Sequence, residues 1–307
     1  MTGFSATDAA LEGFRITRER PRALLAWTGF CFAVNVANVL ITVNLPKEAR
    51  DALEWLERPG EAPDGQALMS ALTLLSPLLA FGLATQCVMA AAVYRILLRP
   101  DDSKFSYLRL GRDELRLMAL TLIYVVLAVV AFATAQFVIV IVASLAGAFG
   151  EAAFSFVFSI LELVVLAGFF YASVRLSLAP VITFYKGRLA ITDSWPVTRG
   201  HFWRLLGSYV LAISCVVVVS LLAMMIFSLL ASIATLSTGG SLSDLSTIFR
   251  DDETQLASYL NPLMIAYMIV GGLFTAIAYA VVAAPGAWAY RELTGQGGQG
   301  DAPAAAI

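Results

Sequence analysis

The chain alternates long, nearly unbroken apolar runs with short charged stretches. Six runs stand out, at 23–43, 67–98, 115–146, 152–185, 205–236 and 260–289. A helix rises 1.5 Å per residue, so about 20 apolar residues cross the hydrocarbon core. Each run is long enough, and several are longer, which predicts tilted helices or helices that continue past the bilayer. A membrane barrel would show short strands alternating apolar and polar, and this pattern is absent. The pattern therefore predicts an all-α, polytopic bundle of six transmembrane helices. The first 22 residues mix acids and bases and lack a compact apolar core, so they do not read as a cleaved signal peptide.

Composition agrees with the pattern. Of 307 residues, 59% are hydrophobic and 14% charged, against about 25% charged in a soluble domain. Net charge is -2, so no global basic field points to nucleic acid. The distribution of the basic residues is more informative. Arg15, Arg18, Arg20 and Arg22 precede the first run. Arg95, Arg99, Lys104, Arg109, Arg112 and Arg116 lie between the second and third. Arg175, Lys186, Arg188, Arg199 and Arg204 lie between the fourth and fifth, and Arg291 follows the sixth. The intervening loops hold only Lys47, Arg50, Arg58 and Arg250, among acids such as Glu48, Asp51, Asp251 and Asp252. Basic residues mark the cytoplasmic side. The expected topology has six spans with both ends in the cytoplasm, in a bacterial inner membrane.

The runs also repeat in pairs. Each even-numbered run nears the cytoplasm with a heptapeptide ending in proline: YRILLRP at 94–100, VRLSLAP at 174–180 and YAVVAAP at 279–285. Each odd-numbered run follows a basic segment led by an aromatic. FRIT begins at Phe14 and is followed by Arg18, WPVT begins at Trp195 and is followed by Arg199, and Tyr107 takes the aromatic place in the middle copy. The expected organisation is one membrane domain over 1–294, built of three helix hairpins near 5–100, 101–187 and 188–294. In each, a cytoplasmic interfacial helix leads a span out, and a second span returns and kinks or stops at proline. Residues 295–307 are too small, polar and glycine-rich to pack and are expected to be disordered.

The most distinctive stretch is VRLSLAPVITFYKGRLAITDSWPVTRGHFWRLLGSYVL, at 174–211. Its pattern sets Arg175 and Pro180 before Ala190, Ser194, Trp195, Thr198, Arg199 and Gly200, then Trp203 and Arg204. It resembles bacterial six-span proteins related to the membrane domain of glycerophosphoryl diester phosphodiesterases, and the YciC-like membrane proteins. The resemblance implies the membrane architecture and work connected with lipids or the envelope. In those phosphodiesterases catalysis belongs to a separate soluble barrel with paired histidines. This chain holds one histidine, His201, so the resemblance implies no hydrolase activity.

Little else suggests chemistry, and no catalytic, cofactor or metal site is expected. Cys31, Cys87 and Cys215 lie apart in apolar runs and read as small buried residues. Glu162 is the exception. It is the acid well inside a run, about ten residues from the outer end of the fourth span and so near midplane. A charged side chain there costs roughly 2.5–3.5 kcal/mol, so it should be protonated or hydrogen-bonded. Ser155 and Ser159 share its helical face, and Asn35 and Asn38 sit at a similar depth. These five form a candidate intramembrane polar site, read either as an interhelical hydrogen bond or as a transport site. Arg18, Arg116, Arg175, Trp195, Arg199, Trp203 and Arg204 are candidate contacts for lipid headgroups, anionic phospholipids among them. Asp101, Asp102, Asp113 and Glu114 interleave with Arg109, Arg112 and Arg116, which predicts ion pairs. An acidic amphipathic helix with Leu53, Trp55 and Leu56 on its apolar side is expected within 46–63. The expected function is that of a non-enzymatic scaffold, accessory or lipid-interacting protein. A transporter or lipid translocator with a site around Glu162 is the alternative.

Overall fold

A computed structural model describes residues 5–57, 65–237 and 256–295. Arg58, Arg250, the acids beyond them in their loops, and the tail after Gly295 lie outside the described residues. The elements are α1 (Ala6–Glu19), α2 (Pro21–Val43), α3 (Lys47–Glu57), α4 (Gly65–Leu98), α5 (Arg112–Gly147), α6 (Glu151–Leu176), α7 (Ala179–Lys186), α8 (Ser194–Val197), α9 (Phe202–Ser237), α10 (Leu256–Tyr259) and α11 (Pro262–Leu293). The described residues contain helices and turns and no strand. Six segments are long and apolar enough to cross a membrane.

Each of the three repeated prolines acts differently on its helix. Pro100 follows the end of α4. Pro285 lies inside α11, which continues to Leu293. Pro180 breaks the fourth run, which the sequence reading took as one span over 152–185. Here α6 stops at Leu176 and α7 starts afresh at Ala179, with Pro180 in its first turn. Proline brings no N–H to the helix, and its ring crowds the carbonyl four residues back, that of Leu176. The expected interfacial helix before the third span is also absent. Lys104–Tyr107 instead form a single left-handed turn, with φ of 51° at Phe105, 55° at Ser106 and 69° at Tyr107.

The described residues divide into two compact units. One comprises 5–9, 110–210 and 285–295; the other comprises the described parts of 10–109 and 211–284. In the first unit, α5 and α6 pack as an antiparallel hairpin across the turn at 148–150. Phe132 meets Phe169 edge-on at 6.1 Å, and Gly147 lies against Phe154. These pairs keep one register along the hairpin. α7 packs on α5, and α8 packs on α6. Leu178, Val181 and Phe184 are fully buried, and Tyr185 meets the ring of Tyr290 at 5.6 Å.

In the second unit, α2 packs on α4, and α3 lies against α4. Thr28, Phe32 and Asn35, at helical spacing on α2, face α11. A Cβ at Gly272 would come within 3.1 Å of the Phe32 nitrogen, so the missing side chain allows the two backbones to approach. α1 crosses α11 still more closely. A Cβ at Gly13 would stand 2.6 Å from the nitrogen of Val281 and 2.7 Å from the carbonyl oxygen of Ala280. Ala10, Ala212 and Val281 form a small core there, with Phe14 packed against it.

Candidate functional site

The end of α6 is built by its own polar sequence. The carbonyl of Arg175 lies in the last turn, where no intrahelical donor remains. It accepts hydrogen bonds from Ser194 Oγ at 2.7 Å and Thr198 Oγ1 at 3.1 Å. Ser194 and Thr198 are four residues apart on one face of the turn through α8, and both are fully buried. This capping docks α8 on α6. The connecting loop is fixed in two ways. Thr183 Oγ1 accepts from the Ala190 amide at 3.0 Å. Asp193 takes Lys186 at 2.8 Å and Arg188 at 2.7 Å. The Lys186 hydrogen bond, with help from Arg188, holds the Asp193 carboxyl below its ordinary range against a smaller desolvation effect.

Docking α8 carries the Trp195 ring onto the Arg175 guanidinium, with 4.7 Å from its carbon to the ring centre. Tyr171, one turn earlier on α6, contributes a second ring at 5.9 Å. Arg175 is only 4% exposed. Its Nε is buried without a partner, and its side chain forms no hydrogen bond or ion pair among the described residues. The two ring faces compensate a cation by up to about 2 kcal/mol when desolvated. A buried charge otherwise carries a penalty of several kcal/mol. A guanidinium is a planar donor whose geometry matches the oxygens of a carboxylate or phosphate, and here it lies against two aromatic faces.

Around it, Tyr171 meets Phe202 at a tilt, with ring centres 5.0 Å apart, and Phe202 meets Trp203 edge-on at 5.2 Å. Trp203 is 78% exposed. Arg199 and Arg204 are exposed and carry no ion pair among the described residues, as is Arg18 in α1. Arg116 differs, because Asp113 takes it at 2.9 Å. Asp102 likewise takes Arg109. Asp102 and Asp113 thus pair with Arg109 and Arg116, whereas Glu114 Oε2 accepts from the Gly111 amide at 2.8 Å and no ion pair is seen at Asp101 or Arg112 among the described residues.

The candidate polar site around Glu162 falls in both units. Glu162 and Ser159 line one open groove on the α5/α6 hairpin, about 490 Å³ in volume, with Phe132, Leu163, Val165, Leu166 and Phe169. Ser155 is exposed on the same helix. Glu162 forms no hydrogen bond or ion pair among the described residues. In the other unit, Asn35 Nδ2 donates to the Met268 carbonyl at 3.3 Å. Asn38 is half-buried and bonds to no described residue.

Two features escaped the sequence. Tyr171 could have been found, since it stands four residues before Arg175 and so on the same face. The left-handed turn could not, because Phe-Ser-Tyr carries no glycine or asparagine to announce it. It is clamped from outside. Trp27 Nε1 donates to the Ser106 carbonyl at 2.9 Å, and Arg95 Nη1 to the Tyr107 carbonyl at 2.8 Å. The Tyr107 hydroxyl accepts from Arg20 and donates to the Pro100 carbonyl at 3.1 Å.

No family model matches this chain, and neither a curated protein nor a solved structure does. The class rests on the fold alone. This is an all-helical, multi-pass membrane protein with six apolar helices of spanning length.

Proposed function

We propose that this chain is a non-enzymatic, lipid-interacting protein of a bacterial cytoplasmic membrane, with its arginine-rich side and both termini in the cytoplasm. On this reading it serves as a scaffold or accessory factor and holds anionic phospholipid headgroups at its cytoplasmic face. One observation carries the reading: a buried arginine, 4% exposed, whose guanidinium lies over the rings of Trp195 and Tyr171 with no described counter-ion. A phosphodiester oxygen would supply the missing acceptor and the missing charge together. Trp203 suits the interface, with an apolar body and a polar edge. The exposed Arg199 and Arg204 would add attraction of about 1 kcal/mol each near an anionic surface.

The sixteen-to-four division of basic residues supports the orientation. Three junctions of one plan support the threefold repeat. The second position of each heptapeptide meets the region of a leading aromatic: Arg95 at Tyr107, Arg175 at Trp195, and Ala280 at Gly13, beside Phe14. The resemblance to six-span membrane domains fits the same architecture. The transport alternative draws less support, because the groove at Glu162 is apolar apart from Ser159.

The experiment is native mass spectrometry with lipidomics on the purified full chain. Arg175→Leu is expected to lose most of the co-purified anionic lipid while zwitterionic lipid is unchanged. Alanine at both Arg199 and Arg204 should reduce the anionic fraction partially. Unchanged anionic lipid in the Arg175 variant overturns the reading.

A further inference from the structure

We infer that the left-handed turn at Lys104–Tyr107 is a finger inserted in the membrane surface, with the Phe105 ring among the upper acyl chains and the Lys104 ammonium at the lipid phosphates. The inference rests on lipid around the six spans and does not involve the anion site at Arg175.

The turn dips down beside the helices that hold it. α2 and α4 pack together, both pack on the turn, and all of these residues belong to one compact unit. Arg20 and Arg22 flank the start of α2, and Arg99 follows α4, which sets the phosphate level near these helix ends. The turn is gripped below that level. Arg95, whose Nη1 donates to the Tyr107 carbonyl, stands one helical turn before Arg99, about 6 Å deeper. A helical side chain leans toward its own N-terminus, which for α4 is deeper still. Trp27, whose Nε1 donates to the Ser106 carbonyl, stands about 9 Å along α2 from Pro21. The Tyr107 hydroxyl then spans back to the Pro100 carbonyl, beyond the end of α4. Asp102 pairs with Arg109 across the neck of the finger.

The backbone suits that depth. Irregular chain is tolerated there only where protein satisfies its polar groups. Three successive carbonyls of the turn are satisfied: Phe105 accepts from the Leu108 amide at 3.1 Å, Ser106 from Trp27 and Tyr107 from Arg95. Three successive positive φ values persist because these contacts over-determine them. The clamps turn Tyr107 inward, at 4% exposure, and leave Phe105 outward, at 82%. Lys104 is exposed and forms no ion pair among the described residues. Its long stem can lie along acyl chains while its charge stays at the phosphates. A single exposed phenylalanine in water calls for no explanation. One held below the arginine level, beside such a lysine, meets lipid.

The test uses the full chain in lipid nanodiscs, which leave both membrane faces open to reagents. Single nitroxide labels are attached through Phe105→Cys and, as a reference beyond the helix end, Asp101→Cys. Wild type treated in the same way subtracts any signal from Cys31, Cys87 and Cys215. Collisions with oxygen report acyl chains, and collisions with an aqueous nickel chelate report water. Oxygen should dominate at 105 and nickel at 101. Nickel dominating at 105, or oxygen dominating equally at both positions, overturns the inference. So does a label at 105 that meets neither reagent, because protein would then cover it. Phe105→Trp provides a readout without a label. The emission it adds should be quenched by phosphatidylcholine brominated on its acyl chains; quenching by aqueous iodide instead also overturns the inference.

Discussion

Arg95 and Arg175 occupy the same position in their heptapeptides and meet opposite fates. Both are nearly buried, at 3% and 4% exposure. Arg95 donates to a main-chain carbonyl and so holds a strained turn in place. Arg175 has two rings and no described acceptor. One arginine is bonded within the fold, and the other has no acceptor among the described residues. The difference lies in the segment each one meets. After α4 the chain turns back within a few residues and offers Arg95 a carbonyl. After α6 it makes an extra helix, α7, and returns with its carbonyl-seeking hydroxyls aimed at the backbone of Arg175. Position in a repeat therefore does not fix the role of a buried cation; the returning chain does.

That contrast can be broken at several points. The largest effect is expected at the third junction, which has alanine where the others have arginine. Gly13→Ala places a methyl against the backbone of α11, which cannot yield as a side chain would. We expect a loss of about 3 kcal/mol or more, read as a lower midpoint in denaturant titration of the detergent-solubilised chain. Arg95→Leu removes a charged donor from a buried carbonyl and should cost about 2–3 kcal/mol. Arg175→Leu, measured in lipid-free detergent, should change stability by less than about 1 kcal/mol, because it removes an uncompensated charge with little loss of bonding. If the two leucine variants lose equal stability, the contrast between the arginines is wrong.

Smaller effects sharpen the same comparison. Ser106→Gly keeps the carbonyl that Trp27 binds and relieves the left-handed backbone, so it should stabilise by about 0.5–1 kcal/mol. Asp193 tests the loop that returns to Arg175. Its carboxyl is held below the ordinary value by Lys186 and Arg188. The resulting stabilisation is present above the unfolded-state value, near 3.8, and is lost as pH falls through the depressed folded-state value. Asp193→Asn should remove that acid-side slope from a plot of unfolding temperature against pH and lower the neutral value slightly, toward the one the wild type reaches in acid.

The six apolar helices were legible because hydrophobic run length is a local property. Five of the six runs end within a few residues of where the helices do. The fourth is divided just before Pro180, the heptapeptide proline at which a kink or a stop was expected, and which of the two occurs is visible only in the structure. Pro285 sits in an equally apolar context and is carried through its helix, so composition does not distinguish breaking from bending. Glu162 and Ser159, three residues apart, line one open groove on the α5/α6 hairpin.

Sequence alone determined the class of secondary structure and the number of segments long and apolar enough to span a membrane. Each depends on the hydropathy, charge or spacing of neighbours along the chain. Tertiary structure decided which arginine is satisfied, where a left-handed turn is tolerated, and that Trp195 and Tyr171 close on one guanidinium. Those outcomes depend on acceptors and rings brought together from distant positions. A buried charge is stable or available according to what surrounds it in space, and no local pattern encodes that.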